Sequence, residues 1–455
     1  MSSFGFIDEK FQKEQQNGGT IMNQYENRIK AVLRDMSGWR YTNVQQMTPQ
    51  WIKEGDYRME RTFQKDGEDW KPFNPADTWG GKDGHFWVYS EIILPAEYEG
   101  ENAVLMVATG ATDIWNTDNP QFLVYVNGKM AATMDMNHHT VTLSEKAKAG
   151  EKFEIAIYAY SNKELPTNFL FEQIAVLRSD VEKLYYDMKV PFEAAQFMRE
   201  DEIDRNDTLE ILNRCVNLLD LRRVGSEQFY VSVQEADAFL EQELYQKEDG
   251  TSRYQNPVCV HSIGHTHIDV AWKWPLRQTR QKTVRSFQTV LNLMKEYPEY
   301  RFMSSQPQLY QFVKEDAPWL YEQIKERVKE GRWEPEGAMW LEADCNLTGG
   351  ESLIRQILYG KKFFKEEFGI EDQEVLWLPD VFGYSVALPQ ILKKSGVRYF
   401  MTTKIAWNEY NKMPNDTMMW QGLDGSEILT YFIFTTNYQG YPELIKNGRG
   451  FRIRS

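Results

Sequence analysis

The sequence predicts a multidomain α/β plus β protein: an N-terminal β-sandwich, a helical connector, then a partial (β/α) barrel. Short alternating strands broken by turn residues predict the sandwich. Apolar residues at three- and four-residue spacing predict the connector. Regular strand–helix alternation after Gly250, with no glycine-rich phosphate loop behind its first strand, favours a barrel over a dinucleotide-binding sheet.

Residues 1–54 read as an N-terminal helix, over Asn23–Met36, followed by polar linker. Residues 55–180 read as the sandwich. HFWVYSEIILP alternates, the runs AVLMVATGAT, PQFLVYVNGKMAAT and KFEIAIYAYS follow closely, and Asn127-Gly128 marks a hairpin. Residues 181–250 form the connector, with Asp204–Leu221 its most periodic stretch. In 251–455 strands are expected at Val258–Ile263, RFMSS, WEPEGAMW, EVLWLPD and VRYFMTT, with helices between them. Five such strands make an incomplete barrel.

Catalytic groups gather at the C-terminal ends of barrel strands, and the chemically rich residues fall there. Three of the six histidines, His261, His265 and His267, lie within seven residues. In HTHID, His265, His267 and Asp269 alternate, so on an extended strand end they face one way. Two imidazoles and a carboxylate suit a Zn²⁺-type ion. Asp380 ends the fourth strand in WLPDVFGYS, where it either joins that cluster, attacks an electrophilic carbon or caps the next helix. Gln306, Glu336, Trp340 and Asp344 follow strands two and three. Glu336 and Glu342 read either as substrate contacts or as rim ion pairs, and Asp344 as a loop or cap residue.

The 455 residues carry a formal charge of −15, which argues against nucleic acid and anionic membranes as partners. Cys215, Cys259 and Cys345 are widely spaced with no C-x-x-C pair, which excludes a zinc ribbon and fits a reducing compartment. No bilayer-length apolar run and no signal-peptide pattern are visible, so the expectation is a cytoplasmic protein. Oligomeric state stays open, with a homo-oligomer among the readings.

HSIGHTHIDVAWKWP, GRWEPEGAMWLEADCNLTGGESLIRQ and LWLPDVFGYSVALPQIL, in this order, resemble the glycoside hydrolase family 38 α-mannosidases of the cytosolic and bacterial branch. The resemblance implies that the barrel is of the family 38 catalytic type. It implies zinc held by His267, Asp269 and Asp380, with His265 a neighbour rather than a ligand. Asp380 is implied as the catalytic nucleophile, and Trp272 and Phe382 as substrate-binding aromatics. The implied reaction is retaining hydrolysis of terminal α-mannosides of glycans or oligosaccharides. Members of the family are longer, with seven barrel strands, a further histidine ligand and the acid/base carboxylate downstream. No histidine follows His267 here, so a C-terminally truncated chain, poorly active alone, is expected. The alternatives are a metal-dependent amidohydrolase, which also opens its barrel with H-x-H, and a non-catalytic carbohydrate-binding protein built on the sandwich aromatics.

Overall fold

The computed structural model describes residues 24–55, 62–111, 116, 118–136, 138–199, 202–245 and 262–433, grouped in two compact units divided near residue 260. His261 and most of the expected strand Val258–Ile263 lie outside the described residues, as do the N-terminal 23 residues and the basic tail.

The first unit opens with helix α1 (Gln24–Trp39). Ten strands follow: β1 (Tyr41–Gln46), β2 (Gln50–Glu54), β3 (Lys71–Phe73), β4 (Gly84–Ile93), β5 (Ala103–Ala108), β6 (Gln121–Val126), β7 (Lys129–Met134), β8 (Thr140–Ser144), β9 (Lys152–Ser161) and β10 (Phe171–Leu177). They form a four-stranded sheet ordered β1-β10-β5-β8 and a six-stranded sheet ordered β3-β2-β4-β9-β6-β7. Period-two alternation assigns their faces. Val88, Phe122, Val124, Ile155 and Ile157 meet Leu105, Val107, Ile174 and Val176 of the other sheet in one core. The intervening Trp87, Tyr89, Leu123, Tyr125 and Tyr158 bury on the opposite face, against Trp51, Phe63 and Trp70. A sheet covered on both sides explains why β6 and β9 read as nearly continuous apolar runs. The sandwich aromatics thus largely pack the interior.

Asn127 (φ 50°) and Gly128 (φ 73°) form the two-residue turn between β6 and β7, and both left-handed conformations suit the Asn-Gly pair. Residues 41–54, expected as linker, are instead β1 and β2. Their side chains are mixed and partly polar, so alternation is weak. Pairing of β1 with β10, and of β2 with β3 and β4, holds them in the sheets.

Helices α2 (Ser179–Ala195), α3 (Ile203–Leu218) and α4 (Glu227–Leu240) share a second core with α1. Ile29, Val32, Leu33 and Met36 of α1 recur at helical spacing and pack with Leu184, Met188, Leu212, Val216, Val233 and Ala236. Ser226 caps α4 by accepting from the Phe229 N–H at 3.2 Å.

The second unit runs β11 (Gly264–His265), α5 (Leu276–Glu296), β12 (Phe302–Ser304), α6 (Pro307–Asp316), α7 (Pro318–Lys329), β13 (Trp333–Pro335), α8 (Gly350–Phe368), β14 (Val375–Leu378), α9 (Leu388–Lys394), β15 (Tyr399–Thr402), β16 (Thr417–Gln421) and β17 (Glu427–Phe432). Pro318 separates α6 from α7, as a residue without an N–H dictates. β11, β12 and β13 pair in parallel, as do β14, β15 and β17, with β16 antiparallel at the edge. A parallel bridge, Gly337 to Leu376, joins the two sheets. The architecture is mixed α/β, with no closed barrel among the described residues.

Two expectations differ from these strands. The third ends at Pro335 rather than Trp340, because Gly337 (φ 136°) and Ala338 (φ 62°) leave the extended region. Beyond the fifth, the hairpin β16–β17 adds a sixth parallel strand that was not anticipated. A core of Phe287, Phe302, Tyr310, Phe364 and Trp333 locks α5, α6 and α8 onto β12 and β13. The Trp333 indole N–H donates to the Tyr310 hydroxyl at 2.8 Å, satisfying its polar edge.

Candidate metal centre

His267, Gln306, Asp380 and Lys404 each stand two residues beyond a parallel strand, β11, β12, β14 and β15 respectively. Parallel strands in chain order carry such positions to one end of the sheet. The backbone bends sharply there: Ala271 (φ 70°), Gln306 (φ 65°) and Ala338 (φ 62°) are non-glycine residues in the left-handed region. Such conformations cost about 1–3 kcal/mol each and cluster at functional sites.

His267 Nε2 lies 3.2 Å from Asp269 Oδ1 and 3.2 Å from Asp380 Oδ2. Ligand-type atoms of these three residues all fall within 4.8 Å of one another. On its other side, His267 Nδ1 lies 3.0 Å from Glu342 Oε2. Burial opposes charge on His267, but Glu342, Asp269 and Asp380 outweigh it and push the imidazole up to about 12. The pocket therefore demands positive charge. Imidazole nitrogen with two carboxylate oxygens, one ligand atom from each, is a donor set that fits a divalent ion of the zinc type.

Asp380 has two partners. Its Oδ2 faces His267, while Oδ1 lies 2.7 Å from Lys404 Nζ. Burial raises the Asp380 carboxyl pKa, but His267 and Lys404 outweigh burial and hold it below the ordinary range. Lys404 is itself buried, and its ammonium sits 3.2 Å from the Trp407 ring centroid and 4.7 Å from that of Phe382. Phe382 and Trp407 meet edge to face at 5.7 Å, and both are largely exposed. Together they form an aromatic wall beside Asp380.

His265 does not join the cluster. Its Nδ1 pairs with the Met303 carbonyl at 3.0 Å, and its Nε2 accepts from the Trp377 indole N–H at 3.2 Å. With both ring nitrogens engaged it is a structural histidine, and burial lowers its pKa. Alternation alone had aligned it with His267, but β11 ends at His265 and the chain then leaves the strand. An H-x-H ligand pair, which the amidohydrolase reading needs, is therefore not formed.

The loop after Asp269 is pinned by Thr279, whose hydroxyl donates to the Asp269 carbonyl and accepts from the Ala271 N–H. It presents Trp272, 59% exposed and edge to face with Trp274. Glu336 makes backbone contacts rather than a rim ion pair. It accepts from the Gly337 and Val375 N–H groups, and burial pushes its pKa up to about 7. Asp344 accepts from the backbone of Asn346 and Leu347, a local turn.

Sequence reasoning missed Lys404 and Trp407 and left Glu342 undecided. In the structure Lys404 shares with Asp380 and His267 an offset of two residues from the end of a parallel strand.

Glycosyl hydrolases family 38 N-terminal domain is the family description that matches, over residues 257–449. The chain is 31% identical over 396 residues to "Alpha-mannosidase G" of Dictyostelium discoideum, covering 83% of this chain and 35% of that protein. It is 32% identical over 383 residues to "Alpha-mannosidase 2C1" of Homo sapiens, covering 80% of this chain and 35% of that protein. To "Alpha-mannosidase" of Saccharomyces cerevisiae it is 34% identical over 262 residues, 55% of this chain and 23% of that protein. The chain thus spans about a third of the length of the first two. Among solved structures, an α-mannosidase from Enterococcus faecalis V583 aligns at 20% identity with a TM-score of 0.33. That alignment covers 38% of this chain and 19% of that one.

Proposed function

We propose that the chain is a glycosyl hydrolase family 38 protein and that it carries the nucleophile and zinc site of a retaining α-mannosidase acting on terminal α-mannosides of glycans or oligosaccharides. One observation carries this reading: His267, Asp269 and Asp380, from the ends of two strands, bring ligand-type atoms within 4.8 Å of one another. We read the chain-ordered parallel strands β11 to β15 and β17 as an arc of a (β/α) barrel, with this cluster at its C-terminal rim.

His267, Asp269 and Asp380 would hold the zinc ion. When bound, the ion supplies a Lewis-acidic contact for sugar hydroxyls. The chain's own residues account for the nucleophile and its setting. Lys404 keeps Asp380 ionised, so its carboxylate is ready to attack the anomeric carbon. The bond from that carbon to the leaving oxygen breaks as a glycosyl ester to Asp380 forms, and a second carboxylic acid gives the leaving oxygen its proton. Water then hydrolyses the ester, and two inversions give net retention. Phe382 and Trp272 offer exposed aromatic faces to the sugar. The buried free thiols Cys215 and Cys345 fit a reducing, cytoplasmic setting. Among the described residues no helix is long and apolar enough to cross a membrane.

A fluorinated α-mannosyl fluoride tests the nucleophile, because fluoride departs without protonation and the reading is independent of the acid. The expected product is one glycosyl adduct on the peptide holding Asp380, absent in Asp380→Asn. An adduct on another carboxylate would overturn the assignment.

A further inference from the structure

Glu342 lies beyond β13 on an irregular stretch, yet its side chain is only 6% exposed. Oε1 accepts from Ser305 Oγ at 3.2 Å and from Gln306 Nε2 at 3.3 Å. Gln306 Nε2 also donates to the Ile268 carbonyl at 3.1 Å, and its Oε1 accepts from the Glu342 N–H at 3.4 Å. Glu342 is therefore clamped to the end of β12 and, through Gln306, to the segment bearing His267. Its free-standing oxygen, Oε2, is the one that faces His267 Nδ1 at 3.0 Å. At that separation the Oε2 carboxylate oxygen stands within hydrogen-bonding reach of the nitrogen.

We propose that Glu342 is a positioning residue for the metal centre, holding the His267 proton on Nδ1 so that the Nε2 lone pair faces Asp269 and Asp380. This rests on reading His267, Asp269 and Asp380 as the zinc site. A neutral imidazole offers one lone pair, and the group opposite the other nitrogen decides which. A carboxylate there fixes the tautomer, orients the ring and makes the ligating nitrogen more basic. Glu342 does this from a buried place with its own second oxygen satisfied by Ser305 and Gln306.

Zinc affinity, measured against a chelator with the full chain and the metal alone, tests the inference. Glu342→Ala is expected to weaken binding by about tenfold or more, the usual effect of losing such a partner. Glu342→Gln, which keeps a carbonyl acceptor without the charge, should fall between it and the native protein. His267→Ala separates the two layers of the argument. If His267→Ala abolishes binding while Glu342→Ala loses less than about tenfold, the role of Glu342 is overturned and the zinc site stands. If binding is indifferent to His267→Ala, both fall. Should Glu342→Ala fail to fold, ¹⁵N-histidine spectra of the zinc-loaded native chain decide. A proton on Nδ1 of His267 supports the role of Glu342, and zinc on Nδ1 overturns it.

Discussion

A single imidazole, that of His267, faces three carboxylates, and this ratio governs what the site accepts. Because those carboxylates push its pKa up to about 12, His267 holds a proton on Nε2 at neutral pH that a metal must displace. Zinc binding is therefore predicted to release about one proton per ion and to strengthen as pH rises. Calorimetry in buffers of different ionisation enthalpy measures that release; proton-neutral binding would contradict it. Lys404 governs Asp380 in the opposite sense. The depressed Asp380 pKa stabilises the fold above the ordinary carboxyl pKa, and that contribution disappears as pH falls through the folded value. Lys404→Met should raise the folded value, so acid unfolding should begin at higher pH. At neutral pH it should cost about 1–3 kcal/mol by leaving the carboxylate poorly paired, read from urea unfolding. His265→Ala is predicted to destabilise by a similar amount, from its two lost partners, while leaving zinc affinity unchanged.

At the scale of elements, close approach is decisive. A Cβ on Gly360 would overlap the Ala338 carbonyl and the Met339 backbone, so α8 packs against the segment that follows β13 only because residue 360 has no side chain. Helix propensity favours Ala over Gly by about 1 kcal/mol, but overpacking costs about 1–3 kcal/mol. Gly360→Ala is therefore expected to lower the urea midpoint, and a raised midpoint would show that α8 can shift freely.

The same scale separates what was readable in the chain from what was not. Asn127-Gly128, Pro318 and the periodic stretch of α3 carry local signals strong enough to place a hairpin, a helix break and a helix. β1 and β2 carry none, since ladder partners far along the chain hold them. Asp380 and His267 were visible by type and by strand-end position. The divergence of His265 was not, because it depends on Met303 and Trp377 brought in from neighbouring strands. Lys404 was hidden for the same reason: lysine is ordinarily a surface residue, and only the fold buries it against Asp380.

Across the whole molecule, the described residues divide into a unit of sandwich and helices and a unit of parallel strands and helices. The cluster of His267, Asp269 and Asp380 lies wholly in the second. Zinc at about a hundredfold excess over its dissociation constant is predicted to stabilise that unit by about 2.7 kcal/mol. Hydrogen exchange should show the gain around residues 265–270, 304–306 and 378–382, with strands β4, β6 and β9 unchanged. Equal protection in both units would mean that the ion acts elsewhere. X-ray absorption at the zinc edge reads the ligand set most directly. The expected shell holds nitrogen and oxygen at about 2.0–2.2 Å, with scattering from one imidazole ring and the remainder from carboxylates or solvent. Scattering from two imidazoles, or any sulfur ligand, would contradict a centre built on His267, Asp269 and Asp380.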